Sequence, residues 1–321
     1  MLSEMLSATV VGVEGVPVRV EADVAFGLPS LTIVGLAGSA VQEARERVRA
    51  AIRNCGFEVP ARRITVNLAP ADLRKEGTGF DLAIAAAILG ASGQLGSAPR
   101  SSGCALIGEL ALDGSLRPVP GTLALVAAGR AAGITEVLVP NASVGEAAAA
   151  GGITVRGVAT LGEAVGHLAG VRRLPPAVPT QVPAWRPAEG VPDLGDVIGQ
   201  PFARRALEIA IAGRHSLALV GPPGIGKTLI LRCAEGLLPP LTEDEAVQVS
   251  RIHSVAGLLD RSEPLVRRRP FRRGSPPGAR RRACPTWATS SANHSPGARW
   301  RSPLPGATAW PSLARRGSAR P

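Results

Sequence analysis

The chain has 321 residues, which is too long for one small domain and suits about two. Hydrophobic residues make up 45% of it, as in a globular chain that buries real cores. Aromatic residues make up only 3%, with no Tyr, which argues against an aromatic platform that stacks single-stranded nucleic acid. The net charge of +11 would indicate a polyanionic partner only if it lay on the folded part.

The positive charge is confined to one end of the chain. Residues 264–321 contain 13 of the 36 basic residues, all of them Arg, and no acidic residue. Residues 1–263 therefore hold 23 basic against 25 acidic groups. The body of the protein is not basic, and its whole positive excess lies in the last 58 residues.

Cysteine usage and hydropathy indicate the compartment. The four Cys are far apart, without C-x-x-C or His at metal-ligand spacing, which argues against zinc and for a reducing cytoplasm. The N-terminus lacks a basic segment followed by a long apolar run, so it does not resemble a signal peptide. The longest apolar stretch, Leu82–Leu89, is too short to span a bilayer. The sequence predicts a cytoplasmic protein with no membrane partner.

Residues 1–170 predict a mixed α/β domain. Period-2 stretches over residues 7–24 are typical of antiparallel strands, and Ala40–Asn54 has the apolar stripe of a helix docked on a sheet. The further predicted elements are strand Arg63–Leu68, helix Asp81–Gly90, strand Ala105–Leu110, helix Leu123–Ala132, strand Glu136–Val139 and strand Ile153–Val155.

The rest of the chain divides into three parts. Residues 171–192 hold six prolines between Pro175 and Pro192 and predict an interdomain linker. Residues 193–272 predict a second α/β domain, with helix Pro201–Ala212, buried strand Ser216–Val220 and helix Thr228–Leu238. Residues 273–321 have no sustained period, are rich in Arg, Pro, Gly and Ser, and are expected to be disordered.

One motif in the second domain carries chemistry. It matches G-x-x-x-x-G-K-[ST] in full, with a strand before it and a helix after it: Gly221, Pro222, Pro223, Gly224, Ile225, Gly226, Lys227 and Thr228. Glycines let successive backbone N–H groups point at phosphate oxygens, and the helix start adds its positive dipole end. We expect Lys227 to reach the β- and γ-phosphates and Thr228 to bind Mg²⁺. The motif predicts a site for ATP with Mg²⁺.

Hydrolysis needs a further acidic residue, placed at the end of a second strand to hold Mg²⁺. No acidic residue follows Glu263, and no apolar strand ending in Asp-Glu follows Thr228. The acidic run Thr242–Glu245 has no strand before it and predicts a helix start, with Thr242 as N-cap. The sequence predicts nucleotide binding without visible hydrolysis machinery, and no catalytic residue is assigned.

The residues around this motif resemble a known family. DVIGQPFARRALEIAIAGRHSLALVGPPGIGKT, LPPLTEDEAVQVSRIHSVAG and, earlier, GLPSLTIVGLAGSAVQEARERVRAAIRNCGF are similar to the YifB/ComM family of magnesium-chelatase-like AAA+ ATPases. The resemblance covers residues 5–272 in family order. It implies a hexameric ATPase and, for ComM-type members, a DNA helicase that drives branch migration in natural transformation. ATP-driven Mg²⁺ insertion into a porphyrin is a lesser alternative, since the leading domain argues against it.

The resemblance extends to the adenine side of the pocket. It implies that Val197, Ile198, Gly199 and Gln200 pack beside the adenine, whereas the residues alone indicate only a short apolar turn before a helix. Both interpretations place the segment about 20 residues before the phosphate motif.

The leading domain is also similar to the Lon protease catalytic domain, a ribosomal-S5-like α/β fold. Proteolysis there needs a Ser nucleophile activated by a Lys. In this register the serine position is Gly79 and the lysine position is about Leu123, and no lysine lies between Lys75 and Lys227. The resemblance therefore implies a structural or DNA-facing domain and no peptidase.

After Arg272 the family pattern stops. A full family member continues to an acidic Mg²⁺-binding strand, a sensor residue, an arginine finger and a helical lid, whereas this chain continues with Arg, Pro, Ser, Ala and Trp. We favour a frameshifted or truncated reading frame over the alternative, a basic arm that binds nucleic acid through counterion release. That alternative makes the chain a non-hydrolysing protein that binds nucleotide and nucleic acid.

Overall fold

The computed structural model describes residues 1–96, 103–178, 190–260 and 263–271, and the backbone of residues 299–301. The chain forms two compact units. The first comprises Met1–Pro183 and Thr242–Arg267, and the second comprises Ala184–Leu241 and Arg268–Pro321. The linker residues 179–189 and almost all of the predicted tail, residues 273–321, lie outside the described part.

A seven-stranded sheet forms the centre of the first unit, in the order β3-β4-β2-β1-β5-β8-β9. The strands of the described chain are β1 Leu2–Val11, β2 Glu14–Ala25, β3 Ser30–Val34, β4 Arg63–Ala69, β5 Cys104–Leu106, β6 Glu109–Leu110, β7 Leu116–Arg117, β8 Glu136–Pro140, β9 Thr154–Val158, β10 Ala218–Val220 and β11 Arg299–Arg301. Four of the six pairs in the large sheet are parallel, and β2 lies antiparallel to both β1 and β4.

Helices cover this sheet. The α-helices of the described chain are α1 Ser39–Asn54, α2 Asp81–Ala91, α3 Thr122–Ala131, α4 Val144–Ala148, α5 Leu161–Leu168, α6 Pro201–Ala212, α7 Lys227–Leu237 and α8 Glu243–Val255. Helix α2 is apolar along its whole length and almost entirely buried. It lies between α1 and the sheet strands β1 and β2, where it forms the middle of the largest apolar cluster. A second cluster joins β5, β8 and β9 to α3.

The second unit is built on a short strand and two helices. Strand β10 leads into the loop 221–226 and helix α7, and α6 packs against α7. Eight buried apolar residues form its cluster: Leu194, Val197, Ala203, Leu207, Leu219, Ile230, Cys233 and Ala234. The backbone of β11 pairs antiparallel with β10, although the tail that contains it was expected to be disordered.

The mixed α/β prediction is confirmed, and the predicted helices appear within one or two residues of their expected bounds. The stretch predicted as one strand, Ala105–Leu110, is two strands, because β5 ends at Leu106 and the chain turns before β6. The segment Thr242–Arg267 was expected in the second domain, and it packs in the first unit, where small residues of α8 face α3. In the described residues, no helix combines the length and apolarity that crossing a membrane requires.

Candidate functional site

The phosphate motif lies between β10 and α7, as its sequence predicts. Gly224 and Gly226 have φ values of 88° and 86°, in the left-handed region that glycine adopts without strain. A Cβ at either position would meet nothing within 4 Å, so the backbone angle and not crowding requires glycine there. Gly226 also stands at the N-cap of α7, and no side chain caps this helix start. The N–H groups of the first turn are thus left to an external acceptor.

The Lys227 ammonium lies against the loop that precedes it. Its Nζ donates to the carbonyl oxygens of Gly221, at 2.7 Å, and Pro222, at 2.6 Å. The hydroxyl-bearing Thr228 follows in the first turn of α7 and is exposed. The structure therefore brings a cation, a hydroxyl and uncapped helix N–H groups together at one helix start. That is the chemistry that a triphosphate with Mg²⁺ requires.

The segment predicted to lie beside the adenine approaches the same loop. The Nε2 of Gln200 donates to the carbonyl oxygen of Ile225 at 3.4 Å. Val197 is buried in the unit's apolar cluster, whereas Ile198 is 96% exposed. Gly199 and Gln200 both have positive φ, at 74° and 56°, and this pair of left-handed residues turns the chain into α6. The adenine role of the segment stays a prediction.

Sequence reasoning missed the contacts that fix this segment on α7. The Cys233 thiol lies 3.3 Å from the carbonyl oxygen of Asp193 and 3.2 Å from that of Leu229. Burial, together with the charges of Asp196 and Asp193, raises the pKa of the Cys233 thiol, so it is a neutral packing group. Asp193 and Asp196 form a capping box around a single 3₁₀ turn. The D-x-x-D spacing was the available signal for this box.

The acidic run after α7 starts a helix, as predicted. The Thr242 hydroxyl accepts from the N–H of Glu245, whose carboxylate accepts from the N–H of Thr242. Glu243 and Asp244 occupy the first turn of α8, where negative charge is favourable. This run belongs to the first unit and makes no part of the loop 221–226. Among the described residues, no group of three His, Cys, Asp or Glu side chains could hold a metal ion by itself.

The positions that match the Lon catalytic pair carry no such pair. Leu123 is fully buried in α3, and its N–H donates to the Glu146 carboxylate at 2.9 Å. Lys75 is also fully buried, and its ammonium donates to the carbonyl oxygen of Pro70. Burial lowers the pKa of Lys75, against a smaller raising effect of Asp72. Lys75 thus has a structural partner in its own loop.

Comparisons with known proteins match both units. Residues 20–143 match the family described as "Subunit ChlI of Mg-chelatase", and residues 193–277 match "Magnesium chelatase, subunit ChlI". The segment Thr242–Arg267 lies inside the second match, although it packs in the first unit.

Three curated relatives are similar in sequence to most of this chain. An uncharacterized protein of Mycobacterium tuberculosis is 46% identical over 270 residues, which is 84% of this chain and 53% of that protein. The uncharacterized protein YifB of Escherichia coli is 41% identical over 84% of this chain and 52% of its own length. The competence protein ComM of Haemophilus influenzae is 40% identical over 79% and 50%. The chain spans about half the length of the curated relatives that it matches.

Proposed function

Because this chain belongs to the magnesium-chelatase-like family that includes YifB and ComM, we propose that it binds ATP with Mg²⁺ at residues 221–228. The observation that carries the proposal is the start of α7. There, two left-handed glycines, a lysine and uncapped N–H groups converge at one helix N-terminus.

Each residue has a distinct role in this proposal. The N–H groups around Gly224 and Gly226 hold the phosphate oxygens, and Lys227 leaves the carbonyl oxygens of its own loop to contact the β- and γ-phosphates. Thr228 gives its hydroxyl to Mg²⁺, which neutralises phosphate charge when it is bound. The exposed side chain of Ile198 supplies apolar surface to the adenine ring.

A titration with fluorescent ATP in the presence of Mg²⁺ tests this site. We expect Lys227→Ala to weaken binding by about 100-fold or more, because the ammonium is a charge-assisted donor to the phosphates. The matched control is Arg232→Ala, which removes an exposed cation from the same helix, one turn beyond the motif. If both variants lost ATP affinity equally, the loss would be explained by the change in net charge alone. That result would contradict the assigned site.

We further propose that residues 1–321, by themselves, bind ATP without turning it over. The support is the sequence from Thr228 to Pro321, in which no apolar strand ends in the acidic residue that would hold Mg²⁺. Hydrolysis needs such a residue to polarise the attacking water. An ATPase assay that finds phosphate release above that of Lys227→Ala would contradict this part of the proposal.

What the longer relatives do can be proposed only for a whole protein of this family, not for residues 1–321 alone. Family resemblance supports ATP-driven remodelling of DNA in a cytoplasmic hexamer, and ComM is named as a competence protein. For this chain, self-association and DNA are the partners we propose. The second candidate is a non-hydrolysing protein that also binds nucleic acid through the nine arginines of residues 273–321. Deleting residues 273–321 would then abolish salt-dependent DNA binding, and unchanged binding would remove this candidate.

A further inference from the structure

The two edges of the seven-stranded sheet differ in what lies beside them. At the β9 edge, the N–H of Ala177 donates to the carbonyl oxygen of Val155 at 2.7 Å. The Arg156 guanidinium donates to the carbonyl oxygen of Leu174, so the chain covers this edge itself. At the other edge, no strand of the described chain pairs with the outer side of β3. A strand with free backbone groups on one side can pair with another chain.

The pairing of β3 with β4 shows which backbone groups point outward. The N–H of Ser30 donates to the carbonyl oxygen of Arg62, on the β4 side. Because successive residues of a strand direct their N–H and C=O groups to opposite sides, those of Leu31 and Ile33 point outward. The Nε2 of Gln42, in α1, donates to the Ile33 carbonyl oxygen at 3.2 Å from that outer side. Both groups of Leu31 and the N–H of Ile33 remain for another partner.

One side of α1 runs along this edge and carries arginines. Gln42, Arg45, Arg49 and Arg53 are spaced three or four residues apart, so they share one side of the helix. Because Gln42 reaches β3, the three arginines, here named the arginine row, follow its outer edge. Arg45 and Arg53 are exposed, and the buried Nε of Arg49 has no hydrogen-bond partner in the described part of the chain. Glu46 flanks the row, which keeps a net positive charge.

Exposed apolar side chains lie at both ends of β3. Phe26 and Leu28, in the loop before it, are each 88% exposed. Val34 and Leu36, at its other end, are exposed as well. The Arg62 guanidinium lies over the Phe26 ring, 4.7 Å from the ring centroid. Large apolar side chains that stay exposed beside free backbone groups are typical of an interaction surface.

We propose that the outer side of β3 binds an extended acidic segment of another polypeptide, which adds to the sheet as a further strand. Backbone groups of the segment pair with Leu31 and Ile33, and its carboxylates meet the arginine row. Arginines four residues apart on a helix are separated by about 6 Å along its axis, and alternate residues of a strand by about 6.8 Å. A carboxylate on every second residue therefore matches the spacing of the row. This inference does not depend on the nucleotide site.

Fluorescence anisotropy with labelled peptides and the full chain tests the surface. The probe is a peptide of about eight residues in which Glu and Thr alternate, and its control carries Lys in place of each Glu. We expect the acidic peptide to bind at least about tenfold more tightly than the Lys peptide. A version of the acidic peptide that is N-methylated at every amide keeps the charge but loses its backbone donors. It should bind about tenfold more weakly or worse.

Variants of the chain locate the binding site. Arg45→Ala combined with Arg53→Ala removes two exposed arginines of the row and should weaken binding of the acidic peptide by about tenfold. The matched control combines Arg172→Ala with Arg173→Ala, two exposed arginines of the same unit that follow α5, and should bind like the wild type. In the wild type, bound peptide should slow hydrogen exchange of the Leu31 and Ile33 amides.

Four results would overturn the proposal. The acidic peptide could fail to bind, or the Lys peptide could bind equally well. Equal loss in the two double variants would reduce the effect to net charge. Full binding of the N-methylated peptide, with unchanged exchange at Leu31 and Ile33, would show that the arginines attract acidic chains without strand pairing and serve only to protect the edge.

Discussion

The two units bury very different amounts of apolar side chain in their described residues. The largest cluster of the first unit holds 36 buried apolar residues around α2, and the second unit's cluster holds eight. Yet the phosphate motif lies in the second unit, on a three-residue strand and a helix with three buried residues. In this chain the larger core therefore supports the sheet, and the nucleotide site that we propose depends on a small one.

The contrast shows which changes each unit tolerates. Stability in the first unit is spread over many side chains, so the loss of one contact leaves most of the core in place. In the second unit, the residues that hold Val197 and α7 are also those that position the motif. Fold and site are more closely linked there.

The largest effect on stability is expected at the ion pair between α1 and α2. Arg47 donates to both carboxylate oxygens of the buried Asp81, at 2.7 and 3.0 Å. Arg47→Ala leaves that charge uncompensated and should cost about 3–5 kcal/mol in the free energy of unfolding. Urea denaturation measures the loss. Arg45→Ala, on the exposed side of the same helix, should change the unfolding free energy little.

The same pair predicts a pH dependence. Burial raises the pKa of Asp81 above its ordinary value of 3.8, and the hydrogen bonds from Arg47 only partly offset this. Without Arg47 the folded-state pKa rises further. The stability deficit of Arg47→Ala should therefore be largest at neutral pH and shrink as the pH falls toward 3.8. A deficit that is independent of pH would show that lost packing, not charge, causes it.

Substitution of one buried isoleucine in each unit compares the two apolar cores directly. Ile84 is fully buried in α2, and Ile230 is buried in α7. Each substitution to Ala should cost about 2–5 kcal/mol in its own unit. Ile84→Ala should leave ATP affinity unchanged, whereas Ile230→Ala should weaken it because α7 carries the motif. Calorimetry and ATP titration measure both effects, and equal loss of affinity would remove the distinction between the units.

A smaller effect is expected at the start of α8. Thr242→Ala removes the cap that accepts from Glu245 N–H and should cost about 0.5–2 kcal/mol in helix stability. Thr242→Ser keeps the acceptor and should match the wild type. Proteolysis near residue 242 measures the change, and identical cleavage rates in both variants would contradict the capping role.

The smallest effect is expected at Glu136. Burial acts to raise the pKa of this carboxyl, but hydrogen bonds from Arg156 and His167 outweigh it and lower the pKa below its ordinary 4.5. A depressed pKa stabilises the fold above 4.5, and that stabilisation is lost as the pH falls through the folded-state value. The urea midpoint of the wild type should thus fall in acid, and that of Glu136→Gln should fall less steeply.

The sequence predicted the elements whose pattern is local. The 3.6-residue period of α1, the apolar run of α2 and the glycines of residues 221–226 all depend on neighbours in the chain, and each is present. The contact of α8 with Glu146, which lies about 100 residues earlier in the chain, is not encoded by any local period. The hydrogen bond from Gln200 to Ile225 also joins residues far apart in the chain. The sequence therefore indicated that residues 197–200 belong near the motif, but it did not indicate this hydrogen bond.

The most direct test of the nucleotide site is an NMR measurement on the ¹⁵N-labelled chain. The backbone amide signals of Gly224 and Gly226 report whether their N–H groups donate to phosphate. We expect both signals to shift downfield when ATP and Mg²⁺ are added to the wild type, and to stay in place in Lys227→Ala. Signals that do not move in the wild type, while ATP binds, would contradict the phosphate site at residues 221–228.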